Sequence, residues 1–252
     1  MKVNQLLQAW PPGTVAVHPW LKEQGVSRKL AEQYRRRGWI DAIGRGAFIR
    51  RGDKVEWPGA LYAIQNSSGK RIHPGGRTAL ELLGLGHFLR LGTRAPLHLY
   101  GAPGERLPTW YRQHDWGRDV RFTATGLFGR DLFVTPRSFG AFAIEVSTPE
   151  RAILEHLNGF QAQTSFEEAR GLVEGLTTLR PEVLQTLLES CTSVKVKRLF
   201  LYLADLAGHP WRAKLKDKRI DLGRGKRLLV RGGTLDPKYQ ITVPLETTQS
   251  GA

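Results

Sequence analysis

The sequence predicts an α+β fold, with helices and short strands interleaved along its length. Three observations carry that prediction. Apolar residues recur at helical spacing in several stretches, as in "SVKVKRLFLYLADLAG" (193–208), where Val196, Leu199, Phe200, Leu203 and Leu206 share one side. Short β-branched or aromatic runs such as "LFVTP" and "YQITVP" sit between turn residues. Apolar residues make up 40% of the 252 positions, enough for real cores.

Taken in order, residues 2–9, "KVNQLLQA", are a helix candidate that stops at Trp10, because Pro11 and Pro12 cannot continue it. "TVAV" (14–17) is short, β-branched and extended. "HPWLKEQG" (18–25) puts Pro19 in a first helical turn, where proline is tolerated, and Gly25 where a helix stops. Ser27 then offers its hydroxyl to an orphan backbone N–H and opens another helix. At 100° per residue, Leu30, Ala31 and Tyr34 share one side of it, and Arg28, Lys29, Glu32, Gln33, Arg35 and Arg36 share the other. Gly38 ends that helix. "WIDAI", "GRG" and "AFIRR" follow as a hairpin whose glycines take positive φ at the turn.

Helix, short strand, helix, helix, hairpin is the order of a winged helix-turn-helix, whose third helix enters the major groove while the hairpin lies along the backbone or minor groove. The polar residues suit those jobs, with arginine matched to guanine and glutamine to adenine. The candidate DNA-binding set is Ser27, Arg28, Lys29, Gln33, Arg36 and Arg37 on the helix, with Arg45 at the wing tip. A solvated amphipathic helix would also be basic outside and apolar inside, and Glu32 fits that plainer reading.

Beyond the hairpin, "EWPGALYAIQNSSG" (56–69) and "GGRTALELLGLG" (75–86) predict two helices, the second lined by Ala79, Leu80 and Leu83. Gly75 and Gly76 offer N–H groups that could meet a phosphate, although a tight turn into a packed helix is the simpler account. Residues 93–147 alternate strand-like runs with loops and suggest a small sheet. "STPERAILEHLNG" (147–159) starts a helix with Thr148 as N-cap, Pro149 in the first turn and Glu150 near the positive helix end. A helix-rich segment runs from there to Cys191. In the helix at 193–208, Lys195, Lys197 and Arg198 oppose the helix dipole and call for a compensating group or an anionic partner. "RIDLGRGKRLLVRGG" (219–233) reads as a basic hairpin turning at Gly223–Gly225, and "YQITVP" (239–244) as a closing strand. Lys195, Lys197, Arg198, Arg224, Lys226 and Arg227 thereby form a possible second basic surface. A boundary near residues 85–95 gives domains of 1–90 and 91–252.

The net charge of +15 is segregated. Residues 1–92 carry a balance of +9, residues 93–189 a balance of −2, and residues 190–252 a balance of +8. Such clustering points to a polyanionic partner, because positive fields steer phosphates. No apolar run approaches the roughly 18 residues of a membrane span. "MKVNQLLQAWPPG" lacks a signal-peptide apolar block, so a cytoplasmic location is expected. One cysteine, Cys191, excludes an internal disulfide and a Cys-rich zinc module.

No phosphate-loop or nucleophile-elbow motif occurs, and the seven histidines are scattered singly, so no cofactor or metal is expected. The alternative from another class is a metal-dependent nuclease. Asp221, followed by Asp236-Pro237-Lys238, loosely matches an acid followed by acid-x-Lys, where carboxylates hold Mg²⁺ and lysine stabilises developing charge. Pro237 sits badly in the strand such a site uses.

Five blocks in the same order carry a family resemblance: the N-terminal stretch ending in "WIDAIGRGAFIRRG", then "HPGGRTALELLGLGHFL", "VSTPERAILEHL", "VKVKRLFLYLADLAGHPW" and "IDLGRGKRLLVRGGTLDPKYQITVP". The chain resembles the AbiEi-type antitoxins of type IV toxin–antitoxin (abortive infection, phage defence) systems across nearly its whole length. The resemblance implies a non-enzymatic transcription repressor with a winged helix-turn-helix and a C-terminal antitoxin domain. It implies autoregulation through promoter inverted repeats in double-stranded DNA, two protomers binding cooperatively and bending the DNA. It also implies a functional partner, a nucleotidyltransferase toxin, countered without a stable complex. The recognition-helix role falls on Ser27 to Arg37 and the wing role on Gly44 to Ala47.

Overall fold

The computed structural model of the chain describes residues 3–67, 69–86, 95–129, 133–160 and 164–244. Its contacts divide it into two compact units, and neither is one continuous stretch. The first comprises Met1–Pro74, Arg94–Thr125 and Val134–Val146; the second comprises Gly75–Thr93, Gly126–Phe133 and Ser147–Ala252. The expected boundary near residues 85–95 falls where the chain returns from the second unit to the first. Part of the "HPGGRTALELLGLGHFL" block, residues 87–89, lies outside the described residues.

The first unit opens with α1 (Val3–Ala9), β1 (Ala16–Val17), α2 (His18–Glu23), α3 (Arg28–Arg36), β2 (Ile40–Gly44) and β3 (Ala47–Arg50). These elements close on one core of Leu6, Trp10, Ala16, Leu21, Val26, Ala31, Tyr34, Ile40 and Phe48, with Leu30 packed at its edge. Trp10 is buried, and its indole N–H donates to the Thr14 carbonyl and hydroxyl, so the Pro11–Pro12 corner is stapled to β1. The sheet order is β1-β3-β2, all antiparallel. The expected element order and the winged helix-turn-helix are present.

The remainder of this unit supports that core. α4 (Trp57–Ser67) is buried along most of its length. Gly59 lies against the Gly13 carbonyl so closely that a Cβ would stand 1.8 Å from the oxygen. β4 (His73–Pro74), β5 (Leu97–Gly101) and β6 (Val120–Ala124) form a sheet in that order, with β5 and β6 parallel, and α6 (Thr109–Gln113) lies in the connection between them. β7 (Val134–Phe139) and β8 (Phe142–Ser147) pair separately. The single small sheet expected over 93–147 is therefore two sheets, because β5 pairs with β4 from before the expected boundary rather than with β7.

The second unit contains α5 (Gly76–Leu82), α7 (Pro149–Asn158), α8 (Thr164–Gly175), α9 (Pro181–Ser190) and α10 (Val194–Ala207). α5 packs on α7, and α10 packs on α7 and α8. Thr148 is the N-cap of α7 by backbone position, but its hydroxyl makes no capping bond. Glu150 instead takes three hydrogen bonds from Arg180, through the backbone N–H at 3.0 Å and the guanidinium at 2.9 Å twice. Leu206, expected in the core, is 46% exposed near the end of α10.

The basic hairpin expected over 219–233 does not form. β9 (Arg227–Leu228) runs parallel to β11 (Ile241–Val243), and β10 (Thr234–Asp236) flanks β11 on its other side. Gly223 and Gly225 have positive φ, as a turn requires, but the turn leads into an arginine-anchored loop. No helix among the described residues is long and apolar enough to cross a membrane.

Candidate nucleic-acid interface

Local chemistry fixes α3 at both ends. The Ser27 hydroxyl accepts from the Leu30 N–H at 3.2 Å, which supplies one of the donors a helix start leaves unpaired. At the other end the Gly38 N–H donates to the Arg35 carbonyl and the Trp39 N–H to the Tyr34 carbonyl, each at 3.0 Å. That pair of bonds is a Schellman motif, with Gly38 at φ +73° in the left-handed position. The Arg51 guanidinium covers the same turn, where a Cβ on Gly38 would collide with it. Ala31 and Tyr34 are buried, so register places Arg28, Lys29, Gln33, Arg36 and Arg37 in solvent, and all five are exposed.

The wing is held as firmly. β2 and β3 pair from Ile40↔Arg50 to Gly44↔Ala47, with an irregularity between Ala42 and Gly44. Gly46 takes φ +78° at the turn, and Arg45 is exposed at its tip. The start of α2 extends the support: the His18 N–H donates to the Gly46 carbonyl at 3.1 Å, and the His18 ring meets the Phe48 ring edge-on at 5.3 Å. Burial lowers the His18 pKa, and the nearby positive charge of Arg28 lowers it further. His18 thereby packs on the wing strands and feels the charge of Arg28.

The cations of this face differ in their freedom. Glu32 accepts from Arg35 through Nε at 2.9 Å and Nη2 at 2.7 Å, and from Arg36 through Nε at 3.3 Å. Those bonds, Arg35 first, hold the Glu32 carboxyl down at about 2 despite some desolvation. Arg36 therefore shares its charge with a carboxylate, although 76% of its side chain is exposed. Among the described residues, Arg28, Lys29, Arg37 and Arg45 carry no carboxylate partner. Ser27 spends an acceptor lone pair on its cap, which leaves its hydroxyl hydrogen able to donate.

The second basic cluster has a different fate. Lys197 and Arg198 are buried, at 4% and 3% exposure, so neither belongs to a solvent-facing surface. Arg198 donates to the carbonyls of Leu222 (2.8 Å), Gly225 (2.6 Å), Gln240 (3.3 Å) and Gly223 (3.1 Å). Lys195 donates to the Phe160 carbonyl at 2.6 Å and lies over the Phe160 ring, and burial lowers its pKa. Neutral backbone carbonyls take up the Lys195 and Arg198 donors near the start of α10. Only Arg224 and Lys226 of the six are fully exposed; Arg227 is half-buried in β9.

Two other sequence candidates are occupied by the chain itself. The Gly76 N–H donates to the Glu155 carboxylate at 3.2 Å, so the glycine pair before α5 is a packed turn. That carboxylate is fully buried and also accepts from Ser147 at 2.8 Å and Arg151 at 2.7 Å. Of the residues matched to a nuclease pattern, Asp221 accepts from the Gly223 N–H, Asp236 from the Tyr239 N–H, and Lys238 donates to Asp205. Among the described residues no group of three or more His, Cys, Asp or Glu is arranged to hold a metal ion.

One contributor escaped the sequence reading. α6 packs against β2, and a Cβ on Gly44 would stand 2.6 Å from Trp110 Cβ and 3.1 Å from Trp110 Cα. Gly44 does not have positive φ, so proximity alone demands glycine there. The "GRG" turn carried that signal, but its first glycine was read as conformational.

Two family models match consecutive stretches of the chain. Residues 1–91 match "Transcriptional regulator, AbiEi antitoxin N-terminal domain", and residues 94–244 match "Transcriptional regulator, AbiEi antitoxin, Type IV TA system". Among solved structures the fold is similar to that of the RV2827C protein from Mycobacterium tuberculosis. The likeness has a TM-score of 0.60 at 16% identity and covers 96% of this chain and 90% of that one. No curated protein gives a significant match. With both matches spanning nearly the whole sequence and a winged helix-turn-helix built at its N-terminus, the chain belongs to the AbiEi antitoxin family, the transcriptional regulators of type IV toxin–antitoxin systems.

Proposed function

We propose that the chain represses its own operon by binding inverted repeats in its promoter, with two protomers cooperating on the duplex. α3 enters the major groove and the wing follows the backbone. Ser27, Arg28, Lys29, Gln33, Arg36, Arg37 and Arg45 supply the contacts. The same protein counteracts a nucleotidyltransferase toxin encoded beside it, without a stable complex and without catalysis of its own. The observation that carries the DNA-binding part is the set of exposed cations without carboxylate partners on α3 and the wing. Footprinting on the DNA upstream of its own gene tests it. Two protected repeats filling over a narrow concentration range are expected, with affinity falling steeply as salt rises. Protection of no discrete site, or affinity indifferent to salt, overturns the reading.

A further inference from the structure

α6 is a five-residue helix set beside the wing. Its inward residues fix it: Tyr111 is fully buried and Trp110 is 8% exposed. The Trp116 indole N–H donates to the Tyr111 carbonyl at 2.8 Å, which holds the end of the helix. Trp110 lies on Gly44, the residue immediately before the wing-tip Arg45, with no room for even a methyl group between them. The two surfaces are therefore in direct packed contact, and close packing transmits position from one to the other.

The outward residues of α6 are polar and cationic. Arg112 and Gln113 are exposed, and Arg112 projects from the side opposite Trp110 and Tyr111. Among the described residues Arg112 has no carboxylate partner. Elsewhere in this unit, Arg35 and Arg36 are held by Glu32, Arg50 lies by Asp53 and Arg121 by Asp119. The nearest acid in sequence, Asp115, uses its carboxylate on the Gly117 N–H at 2.7 Å. An exposed, unpaired guanidinium on a rigid element beside a wing matches phosphate, which arginine binds through two parallel N–H groups.

We propose that α6 is a third duplex-contacting element, in which Arg112 binds a backbone phosphate next to the one met at the wing tip. The inference rests on the duplex-binding reading above and extends it to a segment outside the helix-turn-helix sequence. The contact adds affinity and no sequence preference, because phosphates carry no base identity.

The test is binding of the full-length protein to its upstream duplex across a salt series, using Arg112→Ala, Arg137→Ala and Arg28→Ala. Arg137, exposed on β7, controls for the loss of one positive charge. Arg112→Ala is expected to weaken specific and non-specific duplexes by the same several-fold factor and to reduce the log–log salt slope by about one. Arg137→Ala is expected to leave both unchanged. Gly44→Ala, which pushes Trp110 away, is expected to weaken binding, and adding Arg112→Ala to it costs less than in the wild type. An Arg112→Ala loss no larger than that of Arg137→Ala overturns the inference. If Arg28→Ala still weakens binding in that case, the duplex-binding reading stands alone. A wild type that binds no duplex overturns both. Unchanged thermal melting of the variants assigns their losses to contact rather than to unfolding.

Discussion

Two segments of this protein, α3 with its wing and α10 with its loop, carry the same sequence signature and meet opposite fates. Each is an amphipathic helix with cations near its start and an arginine-bearing glycine turn farther on. In the first, the helix face opposite Ala31 and Tyr34 looks into solvent, and four of its cations and wing cations have no acidic partner. In the second, Lys197 and Arg198 are buried, and Arg198 alone gathers four backbone carbonyls from the segment between residues 222 and 240. The difference teaches that a run of positive charge in a sequence is a surface only when nothing packs over it. A guanidinium is a planar fork of five donors, as able to organise a loop of carbonyls as to bind phosphate.

Three substitutions break or sharpen that comparison. The largest effect is expected at Arg198. Arg198→Ala leaves the Leu222, Gly223 and Gly225 carbonyls without their donor, and a loss of roughly 3 kcal/mol or more in urea-unfolding stability follows. A change of less than about 0.5 kcal/mol, the range of an ordinary surface site, would make α10 the same kind of element as α3. Next come Arg28→Ala and Arg36→Ala. Each is expected to weaken operator binding by about 1–3 kcal/mol if it makes a bidentate base contact, with stability nearly unchanged. Arg36 is expected to cost less, because Glu32 already shares its charge. Unaltered operator affinity in both variants at fixed salt sinks the recognition-helix assignment.

The smallest effect concerns acid. Burial alone would raise the pKa of Glu150, but hydrogen bonds from Arg180 outweigh it and leave the pKa below the ordinary 4.5. A carboxyl with a depressed folded-state pKa contributes stability that is present above the unfolded value and lost as pH falls through the folded one. Stability measured from pH 6 downward should therefore decline below about 4.5, and Glu150→Gln should flatten part of that decline. An acid limb of the same slope in the variant would remove Glu150 from the account. Glu32 is held at about 2 by Arg35 and Arg36, and its loss registers on those two arginines rather than on the fold.

Much of the first unit was legible because its signals are local. Ser27 caps, Gly38 closes the Schellman turn and Gly46 takes the wing turn within four residues of what each serves. The candidate site was legible for the same reason, since helical register alone sends Arg28, Lys29, Gln33 and Arg36 away from Ala31 and Tyr34. Most of the misreadings involve partners far along the chain. Thr148 holds the N-cap position of α7 as expected but makes no capping bond, and Arg180 binds the neighbouring Glu150 from thirty residues away. The 219–233 hairpin gave way to parallel pairing of Arg227 with Ile241, which no turn signal announces. α6 reaches Gly44 across sixty-six positions and left only an unexplained glycine as its trace.

By itself the sequence determined most of the helices, the ends of α3, the wing and the family, because caps, turns and apolar periodicity act over one or two helical turns. The tertiary structure decided which of the two basic clusters is a surface and which is a strut. It also decided that the first compact unit includes residues beyond the first ninety. The reason is physical: burial belongs to what packs over a side chain, and for Arg198 and Trp110 the packing comes from chain that is distant in sequence and close in space.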